Sequence, residues 1–276
     1  MDFCFDESLA IKYKSETQKI RVMSENWLRE FMYCPVCGQS NLVKCPNNKP
    51  VSDFFCDSCG ENFELKSKGA RFGRKIADGA YESALKRIKS NENPNLFALQ
   101  YQNYSVLNLV FIPKYFFTPD TIEKRKPLSE TACRAGWVGC NILFSNIVPQ
   151  GKIEIIKDKN LLPKQKVMER YKDCRRLYVE SIKKRGWFFD VLSCVNAISK
   201  DEFSLKEVYS FEQKLKIKHP ENNNVLAKIR QQLQLMRDSN LVQFLGNGIY
   251  KKNINVEKFP CLKKGKILRH SDRRHA

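Results

Sequence analysis

Two kinds of apolar pattern divide the chain. "VSDFFC" (Val51–Cys56) and "NFELKS" (Asn62–Ser67) are short runs rich in aromatic and apolar residues, and each predicts a strand. "LFALQY" and "SVLNLVFIP" are almost wholly apolar and predict central strands of a sheet. The clusters "NNKP" and "NENPN" mark turns. "RKIADGAYESALKRIKS" (Arg74–Ser90) carries Ile76, Ala80, Ala84, Leu85 and Ile88 at helical spacing, which predicts a helix packed on that sheet. Pro163 is expected to open another helix reaching about Tyr178, since proline suits the first helical position. Strands and helices mixed in this way predict an α/β core.

From Gly186 the pattern changes. "WFFDVLSCVNAI" predicts a helix with Trp187, Val191, Leu192 and Val195 inward. "SLKEVYSFEQKL" predicts a second, with Ser204 as N-cap and Glu207 completing a capping box. "NNVLAKIRQQLQLMRDSN" predicts a third, and "LVQFLGNGIYKK" reads as two strands around a "GNG" hairpin. Three helices and a hairpin are the order of an α+β winged helix, whose third helix enters a major groove. The polar positions of that helix are Asn223, Asn224, Lys228, Arg230, Gln231, Gln232 and Gln234. Their amides match adenine and the guanidinium matches guanine; the same positions also fit an ordinary solvated face. Lys251 and Lys252 on the wing are expected to touch phosphates. The expected organisation is a first domain over 1–185, a winged helix over 186–252 and a basic, flexible tail over 253–276 that adds nonspecific phosphate attraction.

Charge narrows the partners. A formal charge of +19 and a pI near 9.5 point to a polyanion. Eighteen Phe and ten Tyr are too many aromatics for a disordered chain. No apolar run is long enough to span a membrane, and the acidic start "MDFCFDESLAIKYK" lacks the order of a signal peptide. Eleven cysteines without an export signal read as thiols or metal ligands, which places the chain in the cytoplasm.

Four of those cysteines form two C-x-x-C-G pairs, Cys34 with Cys37 and Cys56 with Cys59. Each pair supplies two thiolates from one tight turn, and two such turns close a tetrahedron around Zn²⁺. No open coordination position is suggested, so the metal is expected to be structural. Cys4, Cys45, Cys133, Cys140, Cys174, Cys194 and Cys261 show no such spacing and are expected to be core or surface residues.

The second pair interrupts a D…E-x-K series made of Asp53, Glu64 and Lys66. A hairpin folded over the zinc turn brings Asp53 near Glu64, while Glu64 and Lys66, two apart on a strand, share one face. Two carboxylates there can hold Mg²⁺, which lowers the pKa of a bound water and stabilises charge on a phosphate. Lys66 can orient or deprotonate that water, or neutralise developing charge. The series alone also fits a solvated strand face. His219, His270 and His275 all lie in the last quarter, far in sequence from Cys34, Cys37, Cys56 and Cys59.

One further loop stands apart. In "ETACRAGWVGCNI", Trp137 lies between Gly136 and Gly139 and follows Arg134. Glycines allow close backbone approach to a ligand. An exposed Trp could pack on an adenine methyl; a Trp covering the sheet edge fits equally well.

"NNKPVSDFFC…FELKSK", "YCPVCG" and "RKPL…RAGWVGCNI" resemble the DpnI-like, Dam-replacing family of methyl-directed restriction endonucleases. "KIRQQLQLMRD" and "GNGIYKK" resemble that family's C-terminal domain, so the likeness runs to about Lys252. It implies a PD-(D/E)xK nuclease core with an inserted four-cysteine zinc site, followed by a winged helix. The catalytic series falls on Asp53, Glu64 and Lys66, and the zinc ligands on Cys34, Cys37, Cys56 and Cys59. Ser52 stands where the motif's name has proline, a position with no chemical role. The resemblance also implies Mg²⁺-dependent cleavage, by a bacterial monomer, of double-stranded DNA at N6-methylated adenine in GATC. It implies methyl readout by both the nuclease and the winged-helix domain, and favours Arg134 and Trp137 as the methyl-reading loop of the first. Two rivals remain: a zinc-containing winged-helix regulator that binds DNA without cutting, and a nuclease of the same fold with another specificity.

Overall fold

The computed structural model describes residues 1–46, 52–179 and 181–253. The turn expected at "NNKP", and all but the first residue of the expected tail, lie outside the described residues.

A seven-stranded sheet organises the first part. Its strands are β1 (Val43–Lys44), β2 (Phe54–Phe55), β3 (Asn62–Lys68), β5 (Asn95–Gln102), β6 (Ser105–Ile112), β9 (Ile153–Lys157) and β10 (Asn160–Leu161), in the order β1-β2-β3-β5-β6-β9-β10. Only β3 and β5 run parallel; the other neighbours are antiparallel. The expected strands around the zinc turn pair as a hairpin, Phe54 opposite Phe63 and Phe55 opposite Asn62. The two apolar runs become β5 and β6, the central part of the sheet.

Alternation along β3 separates core from chemistry. Phe63 is fully buried and stacks on Phe97 of β5 at 5.3 Å. Phe97 meets Phe111 of β6 at 5.5 Å, and Phe111 meets Tyr171 at 6.1 Å on α3 (Lys164–Arg175). Glu64 and Lys66 occupy the alternate positions and turn to the other face. The first helix, α1 (Glu16–Phe31), buries Met23, Trp27 and Leu28, and its Ser24 hydroxyl accepts a hydrogen bond from Ser67 of β3 at 2.9 Å.

The helix expected over Arg74–Ser90 is corrected. Only Tyr81–Lys89 is helical (α2); Ile76–Ala80 forms β4. Gly79 disfavours a helix interior, and β4 instead pairs antiparallel with β8 (Gly139–Ile142), with a register shift between Asp78 and Ala80. With β7 (Ile122–Lys124) it forms a small sheet in the order β4-β8-β7. Pro163 stands at the N-cap of α3 rather than at its first position, and the helix ends at Arg175.

The C-terminal part opens with α4 (Ile182–Ala197), which buries Trp187, Val191, Leu192 and Val195 as expected. It also ties back to the first part. Phe189 stacks on Phe116 at 4.9 Å, and Asn196 exchanges amide hydrogen bonds with Gln150 at 3.0 and 3.1 Å. The second expected helix is two, α5 (Leu205–Tyr209) and α6 (Glu212–Lys218), with the Ser204–Glu207 capping box in place. The third is α7 (Val225–Asp238). The hairpin β12 (Val242–Gly246) and β13 (Ile249–Lys252) turns on Asn247 and Gly248, whose φ values of 49° and 73° suit a tight hairpin turn. A short strand, β11 (Glu202–Ser204), extends it to the order β11-β13-β12. This is a helix-turn-helix domain with a wing.

Candidate active site and DNA-binding face

The two cysteine turns are built alike. The N–H of Gly38 donates to the Cys34 carbonyl at 2.8 Å, and that of Gly60 to the Cys56 carbonyl at 2.9 Å. Both glycines have positive φ, 81° and 72°, where a side chain would be strained. Cys34 and Cys59 sulfurs stand 3.6 Å apart, as do those of Cys37 and Cys56, and all four lie within 4.8 Å of one another. Four ligands at the Zn–S distance of about 2.3 Å put sulfurs about 3.8 Å apart, so the cluster fits a tetrahedral ion. Burial pushes the Cys34 thiol up and that of Cys59 up to about 11, while hydrogen bonds from Gln39 and the neighbouring cysteines outweigh burial at Cys37 and hold it below the usual thiol range. The cluster can hold one metal ion.

The hairpin pinned by this cluster carries the acidic series. Asp53 stands at the foot of β2, where its N–H donates to the Phe63 carbonyl at 2.9 Å. Its Oδ2 accepts from the Leu65 N–H at 2.8 Å, which anchors the carboxylate to the strand that carries Glu64 and Lys66. Asp53, Glu64 and Lys66 line one cleft of about 880 Å³ with Arg21, Ser24 and Glu25 of α1. Sequence-distant positions thus converge as the hairpin reading expected.

Sequence reasoning missed Asp78. Its side chain is only 5% exposed, and its Oδ1 lies 2.7 Å from Lys66 Nζ, the same distance as Glu64 Oε1. The stretch "IADGA" fits a helical repeat by its apolar spacing, and its glycine is the signal against that fit. Two carboxylates, Glu64 and Asp78, therefore hold one ammonium, and Asp53 lines the same cleft as Lys66. Burial raises Asp53, opposed by the hydrogen bond from Leu65. Burial pushes Glu64 up to about 7, against the pull of Lys66. Burial works against the charge on Lys66 too, but Glu64 and Asp78 outweigh it, and its pKa stands above that of an ordinary lysine. Asp78 stands below the usual range because Lys66 outweighs its burial. Asp53 and Glu64 bring two carboxylates to this cleft, oxygen donors of the kind Mg²⁺ prefers.

Trp137 is half-buried, neither exposed nor a core residue. A Cβ on Gly139 would come within 2.8 Å of its ring, and the Arg134 guanidinium lies 4.9 Å from the ring centroid. The loop joins β7 to β8 and so hangs from the small sheet that carries Asp78.

Asn223 and Asn224, expected on the third helix, precede it, Asn224 as the N-cap of α7, and both are exposed; on α7 itself Arg230, Gln231 and Gln234 are exposed and Lys228 is half-exposed. Lys228 donates to Gln231 at 2.7 Å, and Arg230 stacks on Tyr209 at 5.6 Å. Gln232 is a correction: it is 1% exposed, on the inward stripe with Ile229, Leu233 and Met236, and its Oε1 has no partner among the described residues. Lys252 is a second correction. It is half-buried and donates to the Ile198 carbonyl at the end of α4, so it caps a helix rather than reaching from the wing. Lys251 is exposed and lies 3.8 Å from Glu202. No helix among the described residues is long and apolar enough to cross a membrane.

An α/β domain with a carboxylate-lysine cleft and a four-cysteine cluster, joined to a winged helix-turn-helix, defines a protein that acts on DNA. The DpnI model of the Dam-replacing family matches residues 1–180, and the model of its Dam-replacing HTH domain matches 183–252. The chain belongs to the Dam-replacing family, and is accordingly a restriction nuclease with a helix-turn-helix DNA-binding domain.

Proposed function

We propose that this protein is a Mg²⁺-dependent, methyl-directed type II (IIM) restriction endonuclease, cleaving double-stranded DNA where adenine is N6-methylated, with GATC as the target. The convergence of Asp53, Glu64 and Lys66 on one cleft, in a chain of this family, carries the reading. The core is of the PD-(D/E)xK kind, with Asp53 just before β2 and Glu64 and Lys66 on β3.

Asp53 and Glu64 would hold the magnesium ion. When bound, it supplies a more acidic water and a counter-charge for the phosphate. The Leu65 N–H and the zinc-pinned hairpin hold Asp53 in place for that ion. Lys66 is held by Glu64 and Asp78 beside the proposed metal ligands. It orients the attacking water or neutralises charge that grows on the phosphate. Asp78 fixes the direction of that ammonium. The four cysteines hold zinc in a structural role. Arg134 and Trp137 are our candidates for the methyl contact, with the exposed side chains of α7 reading the groove. The setting is the bacterial cytoplasm, and the protein acts as a monomer.

Incubating the protein and Mg²⁺ with methylated and unmethylated plasmid tests this in one gel. Cleavage of methylated DNA alone is the expected result. Cleavage of both would leave the nuclease and remove the methyl dependence. Binding without any cleavage would favour the regulator.

A further inference from the structure

The cleft has a second charged group that the mechanism above leaves idle. Glu25 of α1 is buried, its side chain 6% exposed. Each of its oxygens takes a cation: Arg21 Nε at 2.6 Å and Lys44 Nζ at 2.7 Å. One carboxylate between two cations leaves a positive charge in surplus. The neighbouring group is the reverse: Glu64 and Asp78 hold the single ammonium of Lys66, and Asp53 lines the cleft with Glu64 and Lys66. A divalent cation answers the negative group; an anion answers the positive one.

Arg21 is the member able to meet that anion. Its side chain is 64% exposed, it lines the cleft with Asp53, and its charge acts on Asp53. Only its Nε is engaged, so the two terminal amino groups have no partner among the described residues. A guanidinium held at Nε keeps a planar pair of N–H donors, the geometry that suits a phosphate. An ordinary surface ion pair would put both partners in water. Here the carboxylate is inside and the guanidinium at the cleft.

We propose that Arg21 binds a backbone phosphate of the DNA in this cleft, and that Glu25 and Lys44 are positioning residues that hold its guanidinium there. This rests on the nuclease reading for its substrate, but its test does not depend on cleavage. Affinity of the full-length chain for a labelled duplex is measured against salt concentration without divalent metal, for the wild type, Arg21→Ala, Arg21→Lys and Arg29→Ala. Arg29, exposed on the same helix and outside the cleft, controls for loss of one charge. Each phosphate contact contributes about −0.9 to the slope of log affinity on log salt. The slope is expected to be shallower by about that amount in Arg21→Ala, and unchanged in Arg21→Lys and Arg29→Ala. A wild-type slope in Arg21→Ala would overturn the proposal. A wild type that binds but never cuts would defeat the nuclease reading alone, with the slope still deciding the role of Arg21. Where the wild type cuts, Arg21→Ala is also expected to slow single-turnover cleavage by about a hundredfold. Because Arg21 is exposed, this variant should fold normally.

Discussion

Lys66 Nζ stands 2.7 Å from Asp78 Oδ1, so the ammonium of the large sheet is tied to a carboxylate of the small one. Glu64 alone would leave Lys66 free to swing about one partner. The second carboxylate fixes its direction and keeps it charged. Asp78→Asn removes that charge but keeps the shape. Cleavage by this variant should fall about ten- to a hundredfold, as when a supporting partner of a metal site is lost. Single-turnover rates at saturating protein would show it; a wild-type rate would mean that Lys66 needs only Glu64.

Asp53→Ala, Glu64→Ala and Lys66→Ala should each cost at least about two to three orders of magnitude in rate, because each group acts on charge that appears in the transition state. Affinity for duplex should survive, since the helix-turn-helix domain is untouched. Asp173→Asn, an exposed change on α3 far in sequence from the cleft, is the matching control and should cut normally. If the Asp53→Ala, Glu64→Ala double variant cleaves at the wild-type rate, the cleft is not the site of chemistry.

What the sequence disclosed was local. The C-x-x-C-G turns, the two-residue step from Glu64 to Lys66 and the Ser204 capping box each rest on neighbours a few positions apart, and the structure holds all three arrangements. What it concealed depended on partners far along the chain. Asp78 meets Lys66 only because β4 pairs with β8, more than sixty residues later. Lys252 turns inward because the α4 carbonyl of Ile198 needs a donor. Gln232 could have been found: it lies three residues from Ile229 and four from Met236, on the stripe that must be buried.

Buried Glu64 makes the metal-free protein sensitive to pH. Its folded pKa of about 7 lies above the unfolded value of about 4.3, so the folded state binds the proton more tightly. Its contribution to stability is therefore present below about pH 4 and lost as pH rises through 7. A divalent cation on the same carboxylate would offset that loss. Mg²⁺ should accordingly raise Tm more at pH 8 than at pH 5.5, and Glu64→Gln should remove most of the difference. Equal Mg²⁺ shifts at the two pH values would show that Glu64 is not a ligand.

The four-cysteine cluster predicts about one zinc per chain. Cys56→Ser removes a ligand from the hairpin that also positions Asp53. Tm and cleavage should fall together, because metal binding and local folding are one equilibrium. Metal analysis of the purified wild type checks the first statement. Cleanly folded, active protein without zinc would sink both.

Gln232 and Gln234 separate core from groove on a single helix. Gln232 buries an acceptor with no partner, which costs about 1–3 kcal/mol relative to a satisfied or apolar group. Gln232→Leu keeps a similar volume and removes that acceptor, so it should raise Tm while leaving duplex affinity unchanged. Gln234 is exposed two positions on, and α7 is the helix whose exposed side faces DNA if the winged domain docks in the usual way. Gln234→Ala should leave Tm within about a degree, since surface changes cost little. If Gln234 contacts a base edge, its loss should weaken binding by about 1–3 kcal/mol. Thermal melts and duplex titrations on the same two variants decide it. The inverse pattern, with Gln232→Leu losing affinity and Gln234→Ala losing stability, would mean that α7 is rotated from the orientation described and that its buried stripe is the one that reaches DNA.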